Sequence, residues 1–116
     1  NLSGWKTTSV QNLSSTFAGC GNAKKINISG WSADNVTSIG SMFNSAYIEE
    51  IDLGPNFNVP SNVNIDYWFY CTSNKSKKAT LKCSLATYDL IQIFTNTTGG
   101  RNSKSFLTQY CTYSVY

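Results

Sequence analysis

Histidine is absent from this 116-residue chain, and with it go the commonest general base and the usual serine and cysteine triads. Charge is scarce as well: 13% of residues are Asp, Glu, Lys or Arg, against about 25% in an ordinary soluble domain. Ser, Thr and Asn carry the polar load instead, a balance that suits an extracellular or particle surface better than cytosol. The longest apolar stretch, around Leu90 to Phe94, falls far short of the roughly 20 residues of a membrane helix, and no signal peptide opens the chain. A soluble chain without a membrane span is expected. No Cys-x-x-Cys spacing occurs, so neither a zinc site nor any other cofactor has support. The net charge of +3 is too small to argue for a polyanion partner. Nucleic acid is not expected either, because Glu49 to Asp52 interrupt the cationic groove that single strands need.

What the chain does have is internal recurrence. "NLSGWKTTSVQNLSSTF", Asn1 to Phe17, and "NISGWSADNVTSIGSMF", Asn27 to Phe43, share an aliphatic-Ser-Gly-Trp stretch, a Val, an aliphatic and a Phe at matching offsets. With Leu2, Ile28, Leu53 and Cys83 aligned, the spacings are 26, 25 and 30 residues. Ile26, Ile51 and Leu81 stand two before the marker, so each copy carries an apolar-x-apolar unit, a short strand with one buried face. A turn signal follows at Gly4-Trp5, Gly30-Trp31 and Gly54-Pro55. A second apolar trio then comes at three- and four-residue spacing, Val10, Leu13, Phe17 and Val36, Ile39, Phe43, which predicts a short helix. The third copy keeps Val63, Ile65 and Phe69 in a shifted register.

One such unit cannot bury its own apolar edge, but stacked copies place like over like. The expected fold is an α/β repeat solenoid, a leucine-rich-repeat-like ladder of parallel strands with short helical segments. "LSGWKTTSVQNLSSTFAGC" and "ISGWSADNVTSIGSMF" resemble the BspA-like class of leucine-rich repeats found in bacterial surface proteins and lipoproteins, well over residues 1 to about 54 and loosely to 83. The resemblance implies adhesion and protein binding, and does not specify a partner. Residues 1–83 read as about three coils plus the strand of a fourth. The opening at the strand marker, without a polar cap, predicts that Asn1 is a cut end, with earlier coils or a neighbouring subunit packing on the open first coil.

Residues 84–116 read as a cap within the same domain. Leu85, Tyr88, Ile91 and Phe94 share a helical face, Ser84 stands ready as N-cap and Gly99-Gly100 ends the segment. "SFLTQYCTYSVY" alternates as a closing strand. Of the four cysteines, Cys20 and Cys71 fall in the same slot two coils apart, about 10 Å at the strand spacing and beyond the roughly 7 Å of a disulfide. Cys20, Cys71 and Cys83 are read as reduced core thiols. For Cys111, a bridge to Cys83 is the open alternative.

Six carboxylates remain for catalysis, among them Glu50 and Asp52 on one strand, close enough to suggest a glycosidase pair. The stacking alignment sets Lys24-Lys25 beside Glu49-Glu50, however, and a cross-strand ion pair is the stronger reading. No enzyme is expected. The outward strand positions, Lys25, Asn27 and Ser29, then Glu50, Asp52 and Gly54, then Thr80, Lys82 and Ser84, form a mixed polar face of the kind leucine-rich repeats use for binding, and of the kind any solvated sheet shows. A second candidate lies at Tyr67, Trp68 and Tyr70, near Lys75, Lys77 and Lys78, where an outward ring could read a carbohydrate or an acidic partner; equally, Trp68 fills the interior left by the missing third Trp. Trp5 and Trp31 are assigned to a stacked corner ladder with Phe57 as substitute. Asn-x-Ser/Thr occurs at Asn1, Asn12, Asn27, Asn35, Asn74 and Asn96, a glycosylation pattern that the repeated text itself largely explains. The expected function is a surface-displayed module recognising a protein or a glycan outside the cell. The alternative is a structural or receptor-recognition part of a virion surface, such as a phage fibre or decoration protein.

Overall fold

Four short strands, in which buried positions alternate with outward ones, line up in a single parallel sheet. A computed structural model describes residues 1–20, 24–68, 78–95 and 111–116. The strands are β1 (Lys25–Asn27), β2 (Glu50–Asp52), β3 (Ala79–Cys83) and β4 (Cys111–Val115), in the order β1-β2-β3-β4. Lys25 lies opposite Glu50 and Glu50 opposite Thr80; Asn27 lies opposite Asp52 and Asp52 opposite Lys82. Ile26, Ile51 and Leu81 are buried between them. Together with α1 (Leu85–Thr95) the arrangement is consistent with an α/β fold.

The stretches expected as short helices are not helical. Residues 14–19 and 40–45 are runs of overlapping turns, in which Thr16, Ala18 and Cys20 donate their N–H to Leu13, Ser15 and Phe17 three residues back. The intervening amides point along a different axis. Leu13, Ser15, Phe17 and Gly19 donate to the carbonyls of Ser38, Gly40, Met42 and Asn44, and Ile39, Ser41 and Phe43 donate in turn to Asn64, Asp66 and Trp68. Helical i to i−4 bonds would have left these amides for one segment alone; here a parallel neighbour takes them. Three- and four-residue apolar spacing fits both geometries, and the neighbour decides.

Side chains stack in the same order. Leu13, Ile39 and Ile65 are buried, as are Phe17 and Phe43, whose rings lie parallel at 5.6 Å. Trp5 stacks on Trp31 at 5.9 Å and 14°, as expected for the corner pair. Phe57 is wholly buried. Phe69 lies outside the described residues.

The helix starts where the sequence places it. Ser84 Oγ accepts the Thr87 N–H at 3.1 Å, an N-cap bond to the third helical residue. Its buried face differs from the expected one. Leu85 is 61% exposed, while Thr87 and Ile91 are buried, because α1 is held through Thr87: its hydroxyl donates to Phe57 O at 2.7 Å and accepts Val59 N–H at 3.2 Å. That clip turns the face containing Ser84, Thr87 and Ile91 inward and leaves Leu85 in solvent. Of that expected face, the side chain of Phe94 lies outside the described set, as do Gly99 and Gly100 at its end. β4 supplies the closing strand and pairs parallel to β3.

Cys83 and Cys111 are both buried free thiols, and Cys20 is a free, half-buried one. The register explains why the Cys83–Cys111 bridge does not form. Cys111 sits opposite Ala79 and Cys83 opposite Val115, four residues apart along the strands, which is roughly 13 Å where a disulfide spans at most about 7 Å. Cys71 lies outside the described residues.

Candidate functional site

The outward rows of the sheet bring most of the polar candidates together. Lys25 Nζ lies 3.4 Å from Glu50 Oε2, both side chains being open to solvent, so the cross-strand pair expected from the alignment is formed. One row along, Asp52 Oδ2 lies 4.0 Å from Lys82 Nζ, while Asp52 Oδ1 accepts the Gly54 N–H at 2.9 Å and the hydroxyl of Tyr116. Both carboxylates of the suspected glycosidase pair are therefore held by cations or donors. Asn27, in the same row, accepts the Ser29 N–H at 2.9 Å through Oδ1. Gly54 and Ser84, expected on this face, are buried, because the chain has already turned inward to cap α1 and to pass beneath Ser29.

Tyr116 is the member that sequence reasoning missed. Its backbone N–H donates to Cys83 O at 3.0 Å, which carries the ring back over the sheet. Lys82 Nζ then lies 4.9 Å from the ring centroid, a cation–π contact. Partial desolvation, the bond to Asp52 and the negative charges of Asp52 and Glu50 push the Tyr116 hydroxyl up to about 12. The available signal was parity: Thr112, Ser114 and Tyr116 continue the outward positions of Thr80 and Lys82.

The aromatic candidate divides. Trp68 is buried, in line with Met42, so it fills the interior and offers no ring to a ligand; this corrects its place among the binding residues. Tyr67 is exposed, as is Tyr47. Both hold positive φ, 57° and 53°, a conformation that an L-residue adopts at a cost. Tyr70, Lys75 and Lys77 lie outside the described residues, so Tyr67 and the exposed Lys78 are what the described residues hold of that patch.

The Asn-x-Ser text has a local cause. Asn1, Asn12 and Asn27 each accept, through Oδ1, the N–H of the Ser two residues on, at 2.8 to 2.9 Å, and Asn64 accepts that of Asp66 at 3.0 Å. These are Asx turns. Asn74 and Asn96 lie outside the described residues. Among the described residues no three His, Cys, Asp or Glu side chains gather as metal ligands, and no helix is long and apolar enough to cross a membrane.

Comparison with curated proteins and with solved structures returns no match. A family model described as "Mycoplasma protein of unknown function, DUF285" matches residues 1–82, which takes in β1, β2, most of β3 and all the stacked turns; the chain belongs to that family.

Proposed function

We propose that the chain is a non-catalytic binding module, a short BspA-like leucine-rich-repeat solenoid displayed outside the cell, which takes a protein or a glycan on its polar sheet face. The observation that carries the reading is the strand register. It sets Lys25, Glu50 and Thr80 in one row and Asn27, Asp52 and Lys82 in the next, on backbone whose opposite side is buried. Support for the solenoid comes from the turn ladder, in which the same interval of 26 residues separates Asn12, Ser38 and Asn64. A polar row on a rigid parallel sheet can be read by a partner without any movement of the scaffold. The free end of the face, around Lys25 and Glu50, is the more accessible half, since Tyr116 covers Asp52 and Lys82.

Binding of the purified chain to a glycan array and to a panel of matrix proteins tests the reading. Saturable binding to one class is expected, weakened at least tenfold by Glu50→Lys, with the unfolding midpoint unchanged. Binding that ignores Glu50→Lys and Lys25→Glu alike, or no binding at all, would reject the sheet face.

The exposed ring of Trp5 favours a second reading, a structural or receptor-recognition part of a larger assembly. Covering of that ring in the native particle, seen by hydrogen–deuterium exchange around Gly4 to Lys6, would support it.

A further inference from the structure

Tyr116 covers the second row of the sheet without belonging to the core. Its side chain is 49% exposed, and three contacts hold the residue there: the N–H bond to Cys83 O, the hydroxyl bond to Asp52 and the ring face presented to Lys82. β4 is already fixed by the register that sets Cys111 opposite Ala79 and Val115 opposite Cys83. The ring is therefore an addition to a strand in place, laid across β3 onto the acid of β2.

The charges beneath it are arranged unlike those of the first row. Lys25 and Glu50 approach to 3.4 Å, whereas Lys82 Nζ stands 4.0 Å from Asp52 Oδ2, far beyond the roughly 2.7–2.9 Å of a charge-assisted hydrogen bond. The ammonium lies over the Tyr116 ring instead, 4.9 Å from its centroid. Asp52, whose side chain is only 16% exposed, gives Oδ1 to the Tyr116 hydroxyl and to the Gly54 N–H. Two charges on neighbouring strands thus meet the two features of a phenol, an electron-rich face for the cation and a hydroxyl donor for the acid.

We propose that Asp52 and Lys82 form a subsite for a tyrosine side chain presented by a partner protein, which Tyr116 fills in the unbound chain and leaves on binding. The inference rests on the sheet-face reading above and narrows it from a protein or a glycan to a protein. Lys25 and Glu50 stay open to the same partner beside the subsite. Other chemistries fit less well. Phenylalanine keeps the cation contact and leaves Asp52 without its hydroxyl donor. A sugar hydroxyl would satisfy Asp52 but offers the ammonium no π face. Phosphotyrosine would set a phosphate against Asp52 and Glu50, two like charges on one face of β2.

N-acetyl-tyrosinamide titrated into the Tyr116→Ala chain tests the subsite, with the backbone amide resonances of Gly54 and Lys82 as reporters. Saturable shifts are expected, with an affinity severalfold above that of the parent chain, where Tyr116 competes. The phenylalanine analogue should bind severalfold more weakly, and the phosphorylated probe and a panel of methyl glycosides should not saturate. Lys82→Gln added to Tyr116→Ala should lower the affinity for the tyrosine probe severalfold. Absence of saturation with that probe, equal binding of the phenylalanine analogue, or a parent affinity equal to that of Tyr116→Ala would overturn the proposal. A glycoside that binds more tightly would overturn it as well, by making a glycan the occupant. Should Tyr116→Ala fail to fold, Tyr116→Phe takes its place: the ring stays, the Asp52 bond is lost, and the tyrosine probe should still bind severalfold better than to the parent. None of these readouts involves Glu50→Lys or Lys25→Glu, so a face that binds its partner through the first row while ignoring tyrosine loses the subsite alone.

Discussion

The Ser3 carbonyl oxygen stands where the Cβ of Gly30 would be. Successive segments therefore approach each other closely enough at this corner that one methyl group is excluded, and the contact is backbone on both sides. Neither partner can rotate away as a flexible side chain would. Gly30→Ala should lower stability by about 3 kcal/mol, the upper part of the overpacking range, while Gly4→Ala should change it by no more than about 0.5 kcal/mol, as surface substitutions do. Urea denaturation of the two variants checks the contrast, and equal losses would show that the corner yields.

Thr87 joins α1 to the segment at Phe57 and Val59 through one hydroxyl that both donates and accepts. Thr87→Val keeps the shape and leaves a buried carbonyl with one donor fewer and a buried N–H without its acceptor. Roughly 2–4 kcal/mol should be lost, at 1–3 kcal/mol per unsatisfied group. Thr87→Ser keeps the hydroxyl and should recover most of it. Thermal unfolding of the pair gives the answer.

Ser15, Ser41 and Tyr67 hold φ of 60°, 58° and 57°, at a constant interval of 26 residues. The left-handed region costs an L-residue about 1–2 kcal/mol, which glycine avoids. Ser41→Gly should be neutral to stabilising, by up to about 1 kcal/mol, and Ser41→Val should be destabilising by at least that amount. A stable Val variant would mean that the turn can change type.

How much of this was open to sequence reading depends on where each hydrogen bond ends. Ile26, Ile51 and Leu81 could be placed on a common buried row, with Lys25 opposite Glu50, because strand parity is a local property of three or four letters. Phe17 and Phe43 could be placed in one line by their matching offsets in the two copies. Their secondary structure could not, since Leu13, Ser15 and Phe17 send their amides to residues 25 positions away, and no local pattern separates that from a helical turn. Leu85 misled in a similar way: the apolar spacing was real, but a buried Thr hydroxyl outweighed it in orienting α1. The sheet-face candidates were legible by parity, whereas Tyr116 became visible only with β4 laid beside β3.

Alkali should destabilise the protein. Burial pushes the Cys83 thiol up from 9.0 to about 11 and that of Cys111 to about 12, and Tyr113 is raised too, by burial and then by the neighbouring Cys111, Cys83 and Tyr88. The unfolded chain releases these protons first, so it binds fewer protons than the folded chain above pH 9. Stability is then fully present below about pH 9 and falls as pH rises toward 12. Cys111→Ala should flatten part of that slope in urea titrations between pH 8 and 11; an unchanged slope would assign the loss to Cys83 and the tyrosines.

The turn ladder is made almost entirely of main-chain groups. Amides of Leu13, Ser15 and Phe17 find their acceptors whatever side chains stand on the solvent side of those residues. Surface lettering and folding are thereby uncoupled in this molecule: the outward positions can be rewritten wholesale while the inner lettering and the glycine corner stay as they are. Diversity between related chains should accordingly concentrate on one surface, like different inscriptions cut into identical stone.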